Sequence, residues 1–186
     1  MSQYEKESKF LALILRHKPE AAGISLDKHG WADVNKLIEG MKNKYPDFAY
    51  STLLRIVLTD DKQRYSFNED RTKIRANQGH SIQVDVELKE TVPPDILYHG
   101  TAMKSFAKIM SEGIKSMQRL HVHLSEDENK AVETGKRHGE PVVLIVNAKK
   151  MYEAGFKFYL SENNVWLTDF VPKEFIGNWV FYTDKK

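Results

Sequence analysis

Residues 119–125 (RLHVHLS) bring one arginine and two histidines into a short segment that could handle an anion. His121 and His123 alternate with apolar neighbours, which is typical of a half-buried strand. Ser125 follows, with Glu128 three positions later, and this spacing is the capping-box pattern of a helix N-terminus. Backbone N–H groups at a helix start bind anions such as phosphate. The segment therefore predicts part of an anion-binding site, although an ordinary edge strand followed by a capped helix would give the same pattern.

Two further arginines stand in polar contexts that suit a phosphate. Arg16 is followed by His17, and Arg64 ends the run DKQR at residues 61–64. Arginine stays charged and can donate two parallel hydrogen bonds to phosphate oxygens, whereas histidine titrates near neutral pH. Several arginines with a histidine therefore indicate chemistry at a phosphate. Arg16 and His17 also fit the last turn of a helix, where cations offset the helix dipole.

Other kinds of chemistry lack their sequence signatures. The chain has no cysteine, which excludes a thiolate nucleophile and Cys-ligated zinc. It contains no GxGxxG fingerprint, no GxxxxGK[ST] phosphate loop and no GxSxG serine motif. His121 and His123 would share one strand face, but that strand has no carboxylate at a usual ligand spacing. We therefore expect no metal.

Composition bounds the class of protein. The chain has 186 residues, of which 41% are hydrophobic, enough for one large domain or two small ones. Its net charge of +2 means that nucleic acid would be bound by local arginine clusters rather than by a strongly basic surface. The longest apolar run, residues 142–146, is too short to cross a bilayer, and the charged start does not resemble a signal peptide. We expect a cytoplasmic protein that is monomeric.

The first half of the chain predicts three helices followed by a β-hairpin. The helices are predicted at residues 9–17, 34–41 and 52–58. Ser51 or Thr52 would cap the third helix, and Trp31 is expected in the core. Residues 64–67 and 73–75 alternate polar and apolar side chains around a polar turn. This order of elements resembles a winged-helix module.

The second half predicts alternating short strands and helices. Before Pro93 and Pro94, a further strand is predicted at residues 84–88. After them, strands are predicted at residues 96–101, 121–124, 142–146, 158–160, 165–168 and 179–182, and helices at residues 103–112, 126–138 and 148–154. Pro93 and Pro94 interrupt helices and strands alike, which favours a domain boundary there. The sequence therefore predicts an α+β protein with two domains, residues 1–92 and 93–186.

Six motifs occur along the chain in one order. They are residues 15–17 (LRH), 61–65 (DKQRY), 78–81 (QGHS), 97–101 (LYHGT), 119–125 (RLHVHLS) and 164–167 (NVWL). The series resembles the NAD-dependent RNA 2′-phosphotransferase family, also called tRNA 2′-phosphotransferases. The resemblance extends over nearly the full chain, and its specificity comes from the six motifs together.

The resemblance implies a fold and a reaction. Residues 1–92 would form a winged-helix-like RNA-binding domain, and residues 93–186 an ADP-ribosyltransferase-like mixed α/β domain. Members of this family remove an internal 2′-phosphate from RNA. The phosphate attacks the nicotinamide ribose of NAD⁺ and expels nicotinamide, and the 2″-hydroxyl then attacks the phosphate, releasing ADP-ribose 1″,2″-cyclic phosphate. The implied partners are a tRNA-like RNA carrying a 2′-phosphate and NAD⁺ as a consumed co-substrate, with no metal and no membrane.

The resemblance also assigns roles to residues. The essential Arg-His-Arg-Arg set would be Arg16, His17, Arg64 and Arg119. The NAD-binding residues would be His99, Gly100, Thr101, His123, Ser125 and Val165. RNA or phosphate would be contacted by Gln78, Gly79, His80 and Ser81. Many ADP-ribosyltransferases carry a glutamate at the position of Val165, but a phosphate nucleophile needs no base to activate it.

Alternatives remain open. An ADP-ribosyltransferase that stops after the first step would cap nucleic-acid phosphate ends or modify a protein. A winged-helix nucleic-acid-binding protein without activity would leave the motif around Arg119 unexplained. Arg75 and Arg137 fit accessory contacts or surface charges equally well, and the role of His121 is open.

Overall fold

The chain folds into two compact units. The computed structural model describes residues 4–182, and the units comprise residues 1–87 and 88–186. We call them the N-terminal and the C-terminal unit. The division falls five residues before the boundary expected at the paired prolines, and residues 89–90 form a strand with other strands of the C-terminal unit. Helices and β-sheets in both units confirm the α+β class.

Three helices and a small sheet build the N-terminal unit. Its elements are α1 (Glu5–Arg16), β1 (Ala32–Asp33), α2 (Val34–Lys42), α3 (Tyr50–Leu58), β2 (Tyr65–Phe67) and β3 (Lys73–Ala76), with a 3₁₀ turn at Pro19–Ala22. The strands form an antiparallel sheet in the order β1-β3-β2, which confirms the predicted hairpin. Leu11, Leu37 and Leu53 carry one apolar stripe from each helix into a shared core, and their burial stabilises the unit.

Several local predictions for this unit were wrong. Helix α3 begins at Tyr50, one residue before Ser51, and its start has no side-chain cap. Trp31 is only half-buried and lies outside the core, with the Arg75 guanidinium over its ring at 4.4 Å from the centroid. Residues 84–88 form no strand, and Asp85 instead donates its backbone N–H to the carbonyl of Lys28.

Short strands and three helices build the C-terminal unit. Its elements are β4 (Lys89–Glu90), β5 (Leu97–Ala102), α4 (Met103–Glu112), β6 (Ile114–Lys115), β7 (Val122–Leu124), α5 (Glu128–Lys136), β8 (Pro141–Val146), α6 (Ala148–Glu153), β9 (Tyr159–Leu160), β10 (Trp166–Thr168), β11 (Phe170–Val171) and β12 (Ile176–Phe181), with a 3₁₀ turn at Lys173–Phe175. The strand orders are β4-β9-β10-β7, β12-β8-β5 and β11-β6. The pairs are antiparallel throughout. The apolar run predicted as a buried strand is β8, the central strand of its sheet.

Helix α5 packs directly on strand β5 because two glycines allow it. A Cβ on Gly100 would lie 1.8 Å from the carbonyl oxygen of Ala131, and one on Gly135 would lie 2.6 Å from that of Thr101. Neither position can accept a larger side chain without moving the helix. This close packing fixes β5, which carries His99, against the rest of the unit.

The predicted start of α5 was wrong. The helix begins at Glu128, and Asp127 rather than Ser125 is its N-cap, with carboxylate contacts to the backbone N–H groups of Asn129 and Lys130. Ser125 is held in extended conformation because its backbone pairs with Tyr98 through two hydrogen bonds of 2.8 and 2.9 Å. The carboxylate of Asp127 therefore occupies two of the backbone N–H groups at the helix start.

Within residues 4–182, no helix combines the length and the apolar character needed to cross a membrane.

Candidate functional site

Arg16 and His17 lie at the C-terminus of α1, where a loop from later in the chain packs against them. Arg16 is the last helical residue, and His17 is the C-cap, whose N–H donates to the carbonyl of Leu13. Ser81 donates its backbone N–H to the Arg16 carbonyl at 3.0 Å, and its hydroxyl lies 2.8 Å from His17 Nδ1. The predicted RNA-binding segment 78–81 therefore contacts two residues of the predicted catalytic set.

Gly79 in this loop allows a close approach to Arg16. Its φ of +91° lies in the region that favours glycine, and a Cβ there would stand 3.4 Å from Cζ and Nε of Arg16. The Nε and Nη2 atoms of Arg16 are shielded from solvent. The loop thus restricts the guanidinium as well as the helix end.

His80 is a buried neutral side chain next to Arg16 and His17. It is 2% exposed, and burial, reinforced by the charges of Arg16, His17 and Arg75, lowers its pKa to about 4. His80 Nε2 and Gln78 Oε1 are buried and make no hydrogen bond with any residue between 4 and 182. The loop therefore holds polar atoms that the described part of the chain leaves unsatisfied.

Arg64 is held by the carboxylate of Asp60, which was not among the predicted site residues. Asp60 forms an ion pair with Arg64 Nη1 and also accepts the Arg64 backbone N–H at 2.7 Å. The Asp60 side chain is 5% exposed and the Arg64 side chain 29%. The four-residue spacing between the two was the only signal in the sequence, and it does not reveal that the acid is buried.

Tyr65 lies within electrostatic reach of both Arg16 and Arg64. Burial raises the pKa of the Tyr65 hydroxyl, while the charges of Arg16 and Arg64 act to lower it. The hydroxyl donates to the carbonyl of Ser8 at 3.1 Å. The charges of Arg16 and Arg64 thus act on the same hydroxyl although 48 positions separate the two residues in the sequence.

The Arg75 side chain is buried and is not accessible to a ligand. It is buried over the Trp31 ring, pairs with Glu87 at 3.0 Å and donates to the carbonyl of His29 at 3.4 Å. These contacts favour a packing role over the accessory ligand role.

In the C-terminal unit, strand β7 joins three predicted site residues. The His99 ring on β5 contacts the backbone carbonyl of His123 at 3.0 Å through Nδ1. Arg119 Nη1 lies 2.8 Å from Nδ1 of His123. A single residue of β7 thus binds His99 through its backbone and Arg119 through its ring.

These contacts determine the tautomers of both rings. A carbonyl oxygen only accepts, so His99 carries its proton on Nδ1, and Nε2 is an acceptor in the neutral ring. Desolvation lowers the pKa of His99, which keeps the ring neutral. A guanidinium only donates, so His123 accepts at Nδ1 and bears its proton on Nε2 when neutral.

Other predicted NAD-binding residues have clear structural contacts. Gly100 faces α5, as described above, and Thr101 is buried within the sheet opposite Val142. The Ser125 hydroxyl donates to the Asp127 carbonyl and accepts the Asp127 N–H, both at 3.0 Å. Val165 is half-buried at the start of β10, where its N–H donates to the hydroxyl of Ser161.

His121 and Arg137 lie near this cluster. His121 Nε2 is 3.7 Å from Asp169 Oδ1, and the ring meets Tyr159 edge-on at 5.9 Å. Desolvation lowers the pKa of His121, opposed by the Asp169 charge. Desolvation and the charge of Arg137 lower the pKa of Arg119, which places the two arginines within electrostatic reach.

Sequence comparisons show the family of the chain. The family model described as "RNA 2′-phosphotransferase, Tpt1 / KptA family" matches residues 2–170. A protein of Fusobacterium nucleatum named "Probable RNA 2′-phosphotransferase" is 54% identical over 172 residues, which cover 92% of this chain and 96% of that protein. A protein of the same name from Flavobacterium johnsoniae is 54% identical over 169 residues, or 91% of this chain and 93% of the relative. One from Escherichia coli is 47% identical over 170 residues, covering 91% and 92%.

Proposed function

Because the chain belongs to the RNA 2′-phosphotransferase, Tpt1/KptA family, we propose that it removes an internal 2′-phosphate from RNA with NAD⁺ as a consumed co-substrate. The RNA phosphate attacks the nicotinamide ribose carbon, nicotinamide leaves, and the RNA becomes 2′-phospho-ADP-ribosylated. The ribose 2″-hydroxyl then attacks the phosphorus. The bond to the RNA 2′-oxygen breaks, so the RNA regains its 2′-hydroxyl and ADP-ribose 1″,2″-cyclic phosphate is released.

The arginine cluster of the N-terminal unit is the observation that supports this proposal most. The charges of Arg16 and Arg64 both act on the Tyr65 hydroxyl, and His17 follows Arg16 at the helix end. Two guanidinium groups can hold a phosphate and neutralise the charge that develops during transesterification. His17 would transfer a proton in the second step.

The neutral ring of His99 supports NAD⁺ binding in the C-terminal unit. Its Nε2 is an acceptor, which suits a ribose hydroxyl, since a hydroxyl can donate. Arg119 keeps its positive charge at neutral pH despite its lowered pKa and would stabilise negative charge in the same reaction. Of the other assigned residues, Thr101, His123, Ser125 and Val165 would line the NAD⁺ site, while Gly100 would act through its packing against α5.

We assign the two units to two tasks. Three helices followed by the β2–β3 hairpin support a winged-helix-like RNA-binding domain within residues 1–92. The alternating short strands and helices that follow support an ADP-ribosyltransferase-like domain within residues 93–186. We further propose a cytoplasmic monomer that needs no metal.

An NAD⁺-dependence assay tests the proposal. The purified chain is incubated with an RNA that carries one internal 2′-phosphate, with and without NAD⁺, and the products are separated by chromatography. We expect release of ADP-ribose 1″,2″-cyclic phosphate and nicotinamide only when both substrates are present. A stable ADP-ribosylated product without the cyclic phosphate would support the transferase that stops after one step, and no NAD⁺ consumption would support a binding protein.

Arginine variants add specificity to this assay. Arg16→Ala, Arg64→Ala and Arg119→Ala should each abolish most of the turnover. Arg71→Asn is the matched control, because Arg71 is exposed in the hairpin turn with a φ of 59°, which asparagine tolerates. An equal loss in the control would contradict a specific role for the other three arginines.

A further inference from the structure

A buried acid in an anion-binding cluster requires an explanation. The Asp60 side chain is 5% exposed and lies beside Arg64. Its charge also acts on the Tyr65 hydroxyl, as does the charge of Arg16. A negative charge at this place weakens the attraction of the cluster for a phosphate. The carboxylate therefore does not serve to increase the affinity for phosphate, and its role must be a different one.

The contacts of Asp60 converge on Arg64. Oδ2 accepts the Arg64 backbone N–H at 2.7 Å, and Oδ1 contacts both the Lys62 N–H at 3.3 Å and Arg64 Nη1. Gln63, within this short loop, has a φ of +45° and donates its N–H to the Asp60 carbonyl. One carboxylate thus fixes the backbone and the guanidinium of the same arginine.

The loop backbone has a second support that does not involve Asp60. Asn77 is buried, donates its backbone N–H to the Arg64 carbonyl and its side-chain amide to the Gln63 carbonyl, both at 2.8 Å. Ser66 donates to Asn77 Oδ1 at 2.7 Å. Since Asn77 holds the backbone from the other side, loss of the Asp60 charge affects the Arg64 side chain more than the path of the loop.

The position of the contact on the guanidinium decides which edge is available. Asp60 binds Nη1, while Nε and Nη2 of Arg64 make no hydrogen bond within residues 4–182. Nε and Nη2 form one edge of the planar group, and their two parallel N–H bonds match two oxygens of a phosphate. The Arg64 side chain is 29% exposed, and neither Nε nor Nη2 is among the fully buried polar atoms that lack a partner within residues 4–182, so this edge is accessible.

We propose that Asp60 is a positioning residue for the reaction, which holds Arg64 so that its Nε–Nη2 edge receives the RNA 2′-phosphate. The inference rests on the proposed function. Asp60 does not touch the substrate. It orients the Arg64 guanidinium, and its negative charge lowers the positive potential around the phosphate. Removal of its charge therefore has opposite consequences for phosphate binding and for turnover.

Asp60→Asn tests this division. Asparagine can still accept the Arg64 backbone N–H but presents no negative charge to Nη1. We expect kcat to fall about 10²-fold, because a small misplacement of a clamping group has effects of this size. KM for the 2′-phosphorylated RNA should stay unchanged or fall, since the neutral residue no longer repels the phosphate. An unchanged kcat, or a raised KM with normal kcat, would overturn the proposal.

A double-mutant cycle distinguishes positioning through Arg64 from a general structural role. Turnover is measured under single-turnover conditions with enzyme in excess for the wild type, Asp60→Asn, Arg64→Ala and the double variant. We expect Asp60→Asn to have almost no further effect once Arg64 is absent. The same fold loss in both backgrounds would show that Asp60 acts elsewhere. Asp61→Asn, an exposed acid next to Asp60, is the charge-matched control and should retain wild-type kcat.

A spectroscopic readout separates this inference from the proposed function. The Nε–H resonance of Arg64 in a ¹⁵N–¹H spectrum, assigned through its loss in Arg64→Ala, should be sharp in the wild type and broadened in Asp60→Asn. Addition of a 2′-phosphorylated oligonucleotide should shift it. If the wild type lacks NAD⁺-dependent turnover, the proposed function fails, whereas an Arg64 signal identical in wild type and Asp60→Asn overturns the positioning role alone. Asp60→Ser, whose hydroxyl can accept the same backbone N–H, replaces Asp60→Asn if thermal unfolding shows that the latter does not fold.

Discussion

The arginines proposed for catalysis in the two units are held by different kinds of partner. In the N-terminal unit, Arg64 is bound by the buried carboxylate of Asp60, and Arg16 is enclosed by the loop at Gly79. In the C-terminal unit, the exposed Arg119 contacts the ring of His123, a neutral acceptor. A carboxylate fixes an arginine strongly but reduces its net positive field, whereas an imidazole leaves that field intact. The contacts of Arg64 thus favour a fixed orientation of the guanidinium, whereas those of Arg119 preserve its positive field.

The largest contrast should appear when the two arginines are removed. We expect Arg64→Ala and Arg119→Ala each to lower kcat by about 10³-fold or more, the usual size for an arginine that stabilises a phosphoryl-transfer transition state. Stability should distinguish them. Arg64→Ala leaves a buried carboxylate without its ion-pair partner, a loss of about 1–3 kcal/mol, while the exposed Arg119 can be replaced within about 0.5 kcal/mol. Urea unfolding of both variants measures this, and equal stabilities would break the comparison.

A glycine from each unit gives the second contrast. Gly100→Ala should destabilise the C-terminal unit by about 3 kcal/mol, because its Cβ would stand 1.8 Å from the Ala131 carbonyl oxygen. Gly79→Ala should cost about 1 kcal/mol through its positive φ, and any loss of kcat should come from a shift of the loop, because the new Cβ would only reach van der Waals contact with Arg16 at 3.4 Å. Thermal unfolding and turnover are measured for both. A stable Gly100→Ala variant with weak NAD⁺ binding would favour a direct ligand role for this position.

The buried His80 should make the free energy of unfolding of the N-terminal unit depend on pH. The pKa of His80 is lowered from its usual 6.5 to about 4, so the unfolded chain binds more protons between these values, and stability falls as the pH drops through this window. Between about pH 7 and pH 5 the loss from His80 is about 2 kcal/mol. His80→Gln should remove it. His99 and His121, whose pKa values are also lowered, act in the same direction on the C-terminal unit.

The fluorescence of Trp31 checks this prediction, because no other tryptophan lies in the N-terminal unit. Urea transitions near both pH values are compared for wild type and His80→Gln. A transition with the same pH dependence in both proteins would contradict a buried neutral His80.

The smallest expected effect concerns Ser81. Ser81→Ala removes one exposed hydroxyl contact to His17, so kcat should fall by about tenfold or less, as expected for a hydrogen bond worth about 1 kcal/mol. Ser81→Thr keeps a hydroxyl and should restore turnover. If both variants lose turnover equally, the hydroxyl is not what positions His17, and the segment acts on the RNA instead.

Local patterns in the sequence predicted the longer elements well. Helix α2 and strand β8 follow directly from apolar periodicity, and the β2–β3 hairpin from alternation around a polar turn. Four of the two-residue strands, β1, β4, β6 and β11, were missed, because two residues carry no period, whereas β9 was predicted from the longer apolar run 158–160. The start of α5 was misplaced because pairing of Ser125 with Tyr98, 27 positions earlier, overrides a locally favourable cap.

The candidate site was predictable as a set of residue types but not as a set of contacts. Arginine and histidine in six ordered motifs indicated phosphate chemistry and the family, and the match over residues 2–170 confirms the family. Nothing local distinguished Asp60, buried against Arg64, from its exposed neighbour Asp61. Likewise, Arg75 resembled a free cation in the sequence although it is buried over Trp31.

The sequence by itself determined which chemical groups this protein has and in which order, because side-chain identity and spacing are properties of the chain. Only the tertiary structure decided which of these groups donate, which accept and which are buried. His99 acquires its tautomer from the carbonyl of His123, and His80 loses its charge through burial beside Arg16. Hydrogen bonding and desolvation depend on neighbours brought together from distant positions, and those neighbours exist only in the folded chain.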